Sequence, residues 1–254
     1  MITDELKKDA VVAFLKEGKR LSGRAFDEYR QIVVEKDVLT STEGSARVRI
    51  GNTQVLVGVK VDLSTPFKDK PDEGTLTVGA SLLPLASPTF EPGPPDERSI
   101  ELARVVDRGI RSAEAVDLKA LKIEEDKVWG IFADIYVLDH DGNLIDASAL
   151  ATVAALENLR IPKYVDEEVV RETSMILPLK EKPITFTFAK IGDTILYDPD
   201  YAEEVAMDAR FTVCVGDEYV YAMQKSGKGS FTRKEITDLI EAAFAKRKEL
   251  LKYL

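Results

Sequence analysis

Histidine and cysteine, the side chains that most often carry metal or nucleophilic chemistry, occur once each in this 254-residue chain. With His140 alone, a histidine-rich metal site is excluded, and a Ser-His-Asp triad would depend on that one residue. Its place beside Asp141 reads as a strand end. Cys214 alone excludes an internal disulfide and fits a reducing compartment. Lying inside an alternating stretch, it reads as core rather than nucleophile. No run approaches the roughly 18 apolar residues of a membrane helix, and Met1–Lys8 has no signal pattern, so a cytoplasmic protein without a membrane partner is expected. Positive charge is also scarce: 35 Lys and Arg stand against 45 Asp and Glu, a net charge of −10. Gripping nucleic acid over a whole surface needs the opposite sign, because affinity comes largely from phosphate neutralisation. Any such contact here must run through a local arginine cluster or a channel completed by a partner.

What is present centres on Ser87–Arg111, SPTFEPGPPDERSIELARVVDRGIR. The proline-rich lead cannot be helical. It ends in Pro-Asp-Glu, which favours a helix start. From Ile100, the residues Leu102, Val105, Val106, Gly109, Ile110 and Ala113 fall on one apolar face. Arg104, Arg108 and Arg111 stack at i, i+4 and i+7. Two readings stand: a solvated face paired to Glu101 and Asp107, or a phosphate-binding stripe, since guanidinium forks match phosphate oxygens.

The rest of the chain reads as strands and helices in two successive halves, an α/β (α+β) class. Asp4–Leu15 is an amphipathic helix, followed by the basic turn Gly18–Arg24. Strand-like residues run from Val33 to Ile50, interrupted at Glu43-Gly44-Ser45, and Gly51-Asn52 turns them into Val55–Val61. Leu76–Leu85 is a strand. Val128–Leu138 is apolar at odd and even positions, so it is expected to be covered on both faces, with Asp134 buried and hydrogen-bonded. Ala147–Leu159 is an alanine-rich helix. Three prolines and many charges place a linker at 161–182, between domains 1–160 and 183–254. Beyond it come Ile184–Phe188, a Gly192-Asp193 turn, Thr194–Tyr197, the hairpin Phe211–Met223 and a capping box, Thr232-x-x-Glu235. The loop Ser226–Ser230 (SGKGS) fails as a phosphate loop, because Ala222 and Gly229 stand where glycine and Ser/Thr are needed. The acidic run Asp198, Asp200, Glu203, Glu204 and Asp208 is the one candidate metal cluster, with a solvated acidic turn as the alternative.

The segments EGSARVRIGNTQVLVGVKV, LLPLASPTFEPGPPDERSIELARVVDRGIR, DIYVLDHDGNLIDASALATVAAL, ITFTFAKIGDTILYDPDYAEEVAMDARF and QKSGKGSF together resemble the ribonuclease PH family. Within it they resemble the non-catalytic ribonuclease PH-type subunit of the archaeal exosome. The resemblance implies two similar sub-domains, each a sheet backed by helices. It implies a six-membered ring, a trimer of heterodimers, in which this subunit alternates with a catalytic ribonuclease PH-type partner. RNA-binding cap subunits and single-stranded RNA complete the expected partners, and no cofactor is called for. Active members use phosphate as nucleophile and a divalent metal. Where they carry a phosphate-binding Gly-Thr-Arg-Thr type turn, this chain has Asn143, Leu144, Ile145 and Asp146. Leu144 and Ile145 offer no side-chain donors, and Asp146 would fill the anion site with its own carboxylate. At the metal positions stand Asp198 and, in place of aspartate, Glu204. The resemblance therefore implies degenerate phosphate and metal sites, no catalytic residue in this subunit, and RNA contact through Arg104, Arg108 and Arg111. An active metal-dependent exoribonuclease using Asp198 and Glu204 is the alternative.

Overall fold

The computed structural model describes residues 2–254. The chain runs α1 (Ile2–Lys16), β1 (Ile32–Lys36), β2 (Gly44–Ile50), β3 (Thr53–Ser64), β4 (Thr75–Leu82), α2 (Glu97–Ser112), β5 (Val128–Asp139) and α3 (Leu144–Glu157). It continues through β6 (Arg160–Val165), β7 (Glu168–Ile176), β8 (Ile184–Ile191), β9 (Thr194–Tyr197), α4 (Tyr201–Ala206), β10 (Ala209–Val215), β11 (Val220–Gly227) and α5 (Arg233–Leu250).

Alternation decides the first sheet. Ala46, Val48 and Ile50 on β2 and Val55, Val57, Val59 and Val61 on β3 are fully buried, while Arg47, Arg49, Leu56, Gly58 and Lys60 between them are less so. The strands order as β1-β2-β3-β5-β4, antiparallel except for the parallel pair β4–β5. A parallel pair needs a crossover. Here the crossover carries the proline-rich lead and α2, which packs on the buried face beside α3. The second sheet, β11-β10-β8-β9, lies on the other side of α3, and α5 packs against β8 and β10. One continuous set of buried apolar side chains runs from Val57 through Ala151 and Leu150 to Phe186 and Val213. The order of layers is therefore sheet, helices, sheet, helix.

This layering corrects the expectation for β5. Its apolar positions are not covered on both faces, because α2 and α3 cover only one: Ala133, Ile135 and Val137 are buried, while Asp134 and Tyr136 are exposed. Asp134 lies between its register partners Gly58 and Gly79 on the open face and needs no buried partner. The strand covered on both sides is β8, held between α3 and α5.

Helix α2 begins as expected, with Asp96 as N-cap accepting from the Ser99 N–H at 2.9 Å. Ile100, placed above on the apolar face, is 48% exposed, whereas Leu102, Val106, Gly109 and Ile110 are buried. The alanine-rich helix starts earlier than expected, at Leu144, because Asn143 adopts a left-handed conformation (φ 52°) that asparagine tolerates. The stretch 161–182 is not a bare connection: β6 and β7 pair across it as a hairpin. Both capping boxes, Asp200–Glu203 on α4 and Thr232–Glu235 on α5, are formed.

At Gly44 a Cβ would lie 2.4 Å from the Ala155 carbonyl oxygen on α3. That oxygen belongs to backbone, so the helix must move. Gly44→Ala is expected to destabilise the fold by about 1–3 kcal/mol, as overpacking does, read as a lowered urea midpoint with an unchanged slope.

Candidate functional site

The turn Asp141–Asn143, the start of α3, the segment Asp198–Glu204 and the basic stretch Arg20–Arg30 converge. The charge pattern is complementary: three arginines from before the first strand meet the acidic run from the second half. Arg20 is 1% exposed and donates from Nε to Glu203 Oε1 at 2.8 Å. It also reaches the carbonyl oxygens of Ala25, Tyr197 and Asp198. Arg30 forks onto Asp198, Nε to Oδ2 at 2.8 Å and Nη2 to Oδ1 at 2.7 Å. The Arg30 backbone N–H, Arg24 Nη1 and Asn143 Nδ2 donate to the same carboxylate at 2.9, 3.1 and 2.8 Å. Burial alone would push the Asp198 carboxyl up; the hydrogen bonds and charge of Arg30 outweigh it and hold it below the ordinary aspartate value.

Asp146 corrects an expectation. Its carboxylate does not fill the N-terminus of its own helix. Three residues after Asn143, it faces the second sheet, accepting from Thr187 N and Oγ1 at 3.0 and 2.7 Å, Tyr29 Oη at 2.8 Å and Asn143 Nδ2 at 2.9 Å. The carboxylate that does reach the helix start is Glu204, whose Oε1 accepts the Asn143 N–H at 2.9 Å. Leu144 is half-buried and Ile145 is buried. Among the described residues no guanidinium pairs with Asp146 or Glu204. Burial therefore dominates, and it raises Asp146 to about 6 and Glu204 to about 7 despite their hydrogen bonds.

A small cavity of about 110 Å³ opens above Glu204, lined by Arg98, Glu101, His140, Leu144, Ile145 and Arg210, among others. His140 stacks on Phe90 with ring centroids 5.2 Å apart and accepts the Gly142 N–H at Nδ1. Burial, then the charges of Arg98 and Arg30, lower it to about 4, so it is neutral near pH 7. Cys214 is buried against Gly109 of α2, and burial raises its thiol to about 11, as suits a core residue.

The acidic run does not assemble into a metal cluster. Asp198 is taken by arginines, Asp200 caps α4, Glu203 pairs with Arg20, Glu204 faces Asn143, and Asp208 accepts the Gly192 N–H. Among the described residues no group of three or more His, Cys, Asp or Glu is arranged to hold a metal ion. The donor set at Asp198 does not fit a divalent cation, because both oxygens already accept from cationic or amide donors.

The arginines of α2 divide. Arg98 is held by Asp96 and the Thr89 carbonyl. Arg111 is held by Asp107 and the Leu76 carbonyl, its Nη2 2.7 Å from Asp107 Oδ1. Arg104 and Arg108 are exposed, and among the described residues no carboxylate lies within 4.0 Å of either. Glu101, expected beside them in the solvated reading, is instead engaged by Arg210. The end of β11 and the loop after it are braced: Ser226 Oγ donates to Glu101, and the Gly229 N–H donates to the Asp208 carbonyl.

The fold and these signatures define a class. The model of the 3′ exoribonuclease family, domain 1 (RNase PH), matches residues 28–162, and domain 2 of the same family matches 182–246. The chain belongs to this family, as its motifs indicated. It is 49% identical over 256 residues to the exosome complex component Rrp42 of Thermococcus gammatolerans, covering 98% of this chain and 94% of that one. To the Methanothermobacter thermautotrophicus exosome complex component Rrp42 it is 46% identical, covering 100% and 96%. It matches a chain of the Archaeoglobus fulgidus exosome with RNA bound to the active site at a TM-score of 0.94 and 45% identity, over 99% of both chains. Rice Rrp46, at 18% identity and a TM-score of 0.70, shares the fold.

The network that missed detection in the sequence is Arg20, Arg24, Tyr29, Arg30 and Thr187. One signal existed: a run of three closely spaced arginines facing an acidic run in a chain otherwise short of positive charge.

The opposite shifts at the site set a pH dependence. A carboxyl raised by burial stabilises the fold while protonated, and that contribution fades as pH rises through its folded value. For Glu204 the window is from the ordinary glutamate value of 4.5 to about 7. Glu204→Gln, which keeps an acceptor for Asn143, is expected to match the parent chain at pH 4.5. At pH 8 it should be more stable by about 1–3 kcal/mol. Urea titrations of both proteins at the two pH values check this.

Proposed function

We propose that this chain is a ring subunit of an archaeal, cytoplasmic RNA-degrading exosome that does not itself catalyse. It alternates with a catalytic ribonuclease PH-type subunit, three heterodimers to a ring beneath RNA-binding caps, helps shape the partner's active site and grips single-stranded RNA on its way there. The whole-length similarity to exosome components supports the assembly. The two family matches, separated near 162–182, support dividing the chain into domains 1–160 and 183–254. Among the described residues no helix is long and apolar enough to cross a membrane.

The observation that carries the reading is how cations and carboxylates are distributed. Where phosphorolysis would need an open anion site and an open metal site, Glu204 closes the start of α3 and Arg30 closes Asp198. Asn143, Leu144, Ile145 and Asp146 then serve as structure, not as an anion cradle. Metal-dependent hydrolysis through Asp198 and Glu204 is disfavoured on the same ground. Meanwhile Arg104 and Arg108 stand one helical turn apart, about 6 Å along the axis, and are free to meet neighbouring phosphates. Arg111 contributes less to this grip, since Asp107 and Leu76 already hold it. Backbone contacts position RNA without reading sequence, which suits degradation of varied substrates. An acidic protein can do this because the charge is local.

Two measurements test the proposal. The isolated chain should release no nucleoside diphosphates from RNA in phosphate; phosphate-dependent release abolished by Asp198→Ala would overturn the non-catalytic assignment. In rings of verified mass, Arg104→Glu with Arg108→Glu should weaken RNA binding whatever the sequence. The slope of log affinity against log salt should become shallower by about 0.7 per lost contact. Unchanged slope and decay rate would return both arginines to a solvated face.

A further inference from the structure

Glu101, Arg104 and Arg108 stand at i, i+3 and i+7 on α2, so they share one helix face. A glutamate so placed is in reach of the arginine three residues on. It does not pair with it here. Instead, Glu101 Oε1 accepts from three side chains of the second sheet: Arg210 Nη2 at 2.8 Å, Gln224 Nε2 at 2.6 Å and Ser226 Oγ at 3.0 Å. Arg210 is the one cation of the three. Its side chain is only 16% exposed, so it is fixed by its surroundings, whereas that of Glu101 is 38% exposed and has room to swing if released. Gln224 also lines the crevice beside Arg108.

We propose that Arg210 is a positioning residue for the RNA grip: by holding Glu101 against the second sheet it keeps that carboxylate off Arg104, leaving the guanidinium free for phosphate. The inference rests on the reading of Arg104 as a phosphate contact. Arg210 acts through Glu101 and touches no RNA itself. Without it, the Glu101 carboxylate competes with phosphate for Arg104, an effect strongest at low salt.

The test is a mutant cycle on rings assembled with the catalytic-type partner, verified intact by native mass. Binding of a labelled single-stranded oligoadenylate is measured over a series of salt concentrations. Arg210→Met should lower affinity several-fold at low salt and move the log–log slope toward the loss of one contact, about 0.7. Adding Glu101→Gln should restore both. In an Arg104→Ala background, Arg210→Met should have no further effect, since non-additivity marks residues that act through one another. A loss that persists in that background is a long-range charge effect, and a loss not rescued by Glu101→Gln is a packing defect; either overturns the inference and leaves the grip intact. If Arg104→Ala itself changes neither affinity nor slope, the grip reading fails and this inference falls with it. Should Arg210→Met prevent assembly, Arg210→Gln, which removes the charge but keeps a donor, takes its place and must show the same rescue.

Discussion

Asp198 is fully buried and carries its charge at the contact between the two halves of the chain, and much of the structure follows from that. A buried carboxylate is costly unless its oxygens are satisfied and its charge is balanced. Arg30 supplies a forked pair, Arg24 a second cation and Asn143 an amide, each from a different distance along the sequence. To deliver Arg30, the segment before β1 must lie across the start of α3. To deliver Asn143, that helix must begin from a left-handed residue. Arg20 then locks onto Glu203, which in turn closes the capping box of α4. Taking away one partner of such a pair commonly costs about 3–5 kcal/mol, because the other charge is left alone. Asp198 thus helps to join the two halves of the chain.

Most of the fold was legible, for reasons that vary with the element. Val55–Val61 and Ile184–Phe188 alternate, Asp96 and Thr232 sit where caps belong, and Gly51-Asn52 closes a hairpin in register Ile50↔Thr53. Periodicity reports what a strand's side chains are, not what covers them. For that reason β5 looked like a doubly covered strand and Asp134 looked buried, although the helices lie on one side only. The identity of β8 as the enclosed strand depends on which sheet shares α3, and that is a matter of topology.

The candidate site was legible by position and not by partner. Asp198, Glu204 and Asp146 were singled out as acids, but nothing in their spacing says that Arg30, some 170 residues away, binds the first. The arginine stripe was ambiguous in the sequence because Glu101 and Asp107 stand at pairing distance along the helix. The structure divides them: Asp107 takes Arg111, while Glu101 turns to Arg210 on β10. A helix face is read correctly only when the surface opposite it is known.

The open edge of the first sheet has its own consequence. From Thr75 through β4 to Phe90 the chain carries no charged residue, and β4 pairs on one side only, with β5. Natural edges are usually guarded by lysine, proline within the strand or a bulge. Beyond β4, Leu85 is 71% exposed. The charge nearest to β4 comes from other elements: Arg111 of α2 donates to the Leu76 carbonyl at 2.8 Å. The edge of β4 thus has no lysine or proline of its own to guard it, and at Leu76 the guard is borrowed from the neighbouring helix, where the Arg111 guanidinium takes the carbonyl.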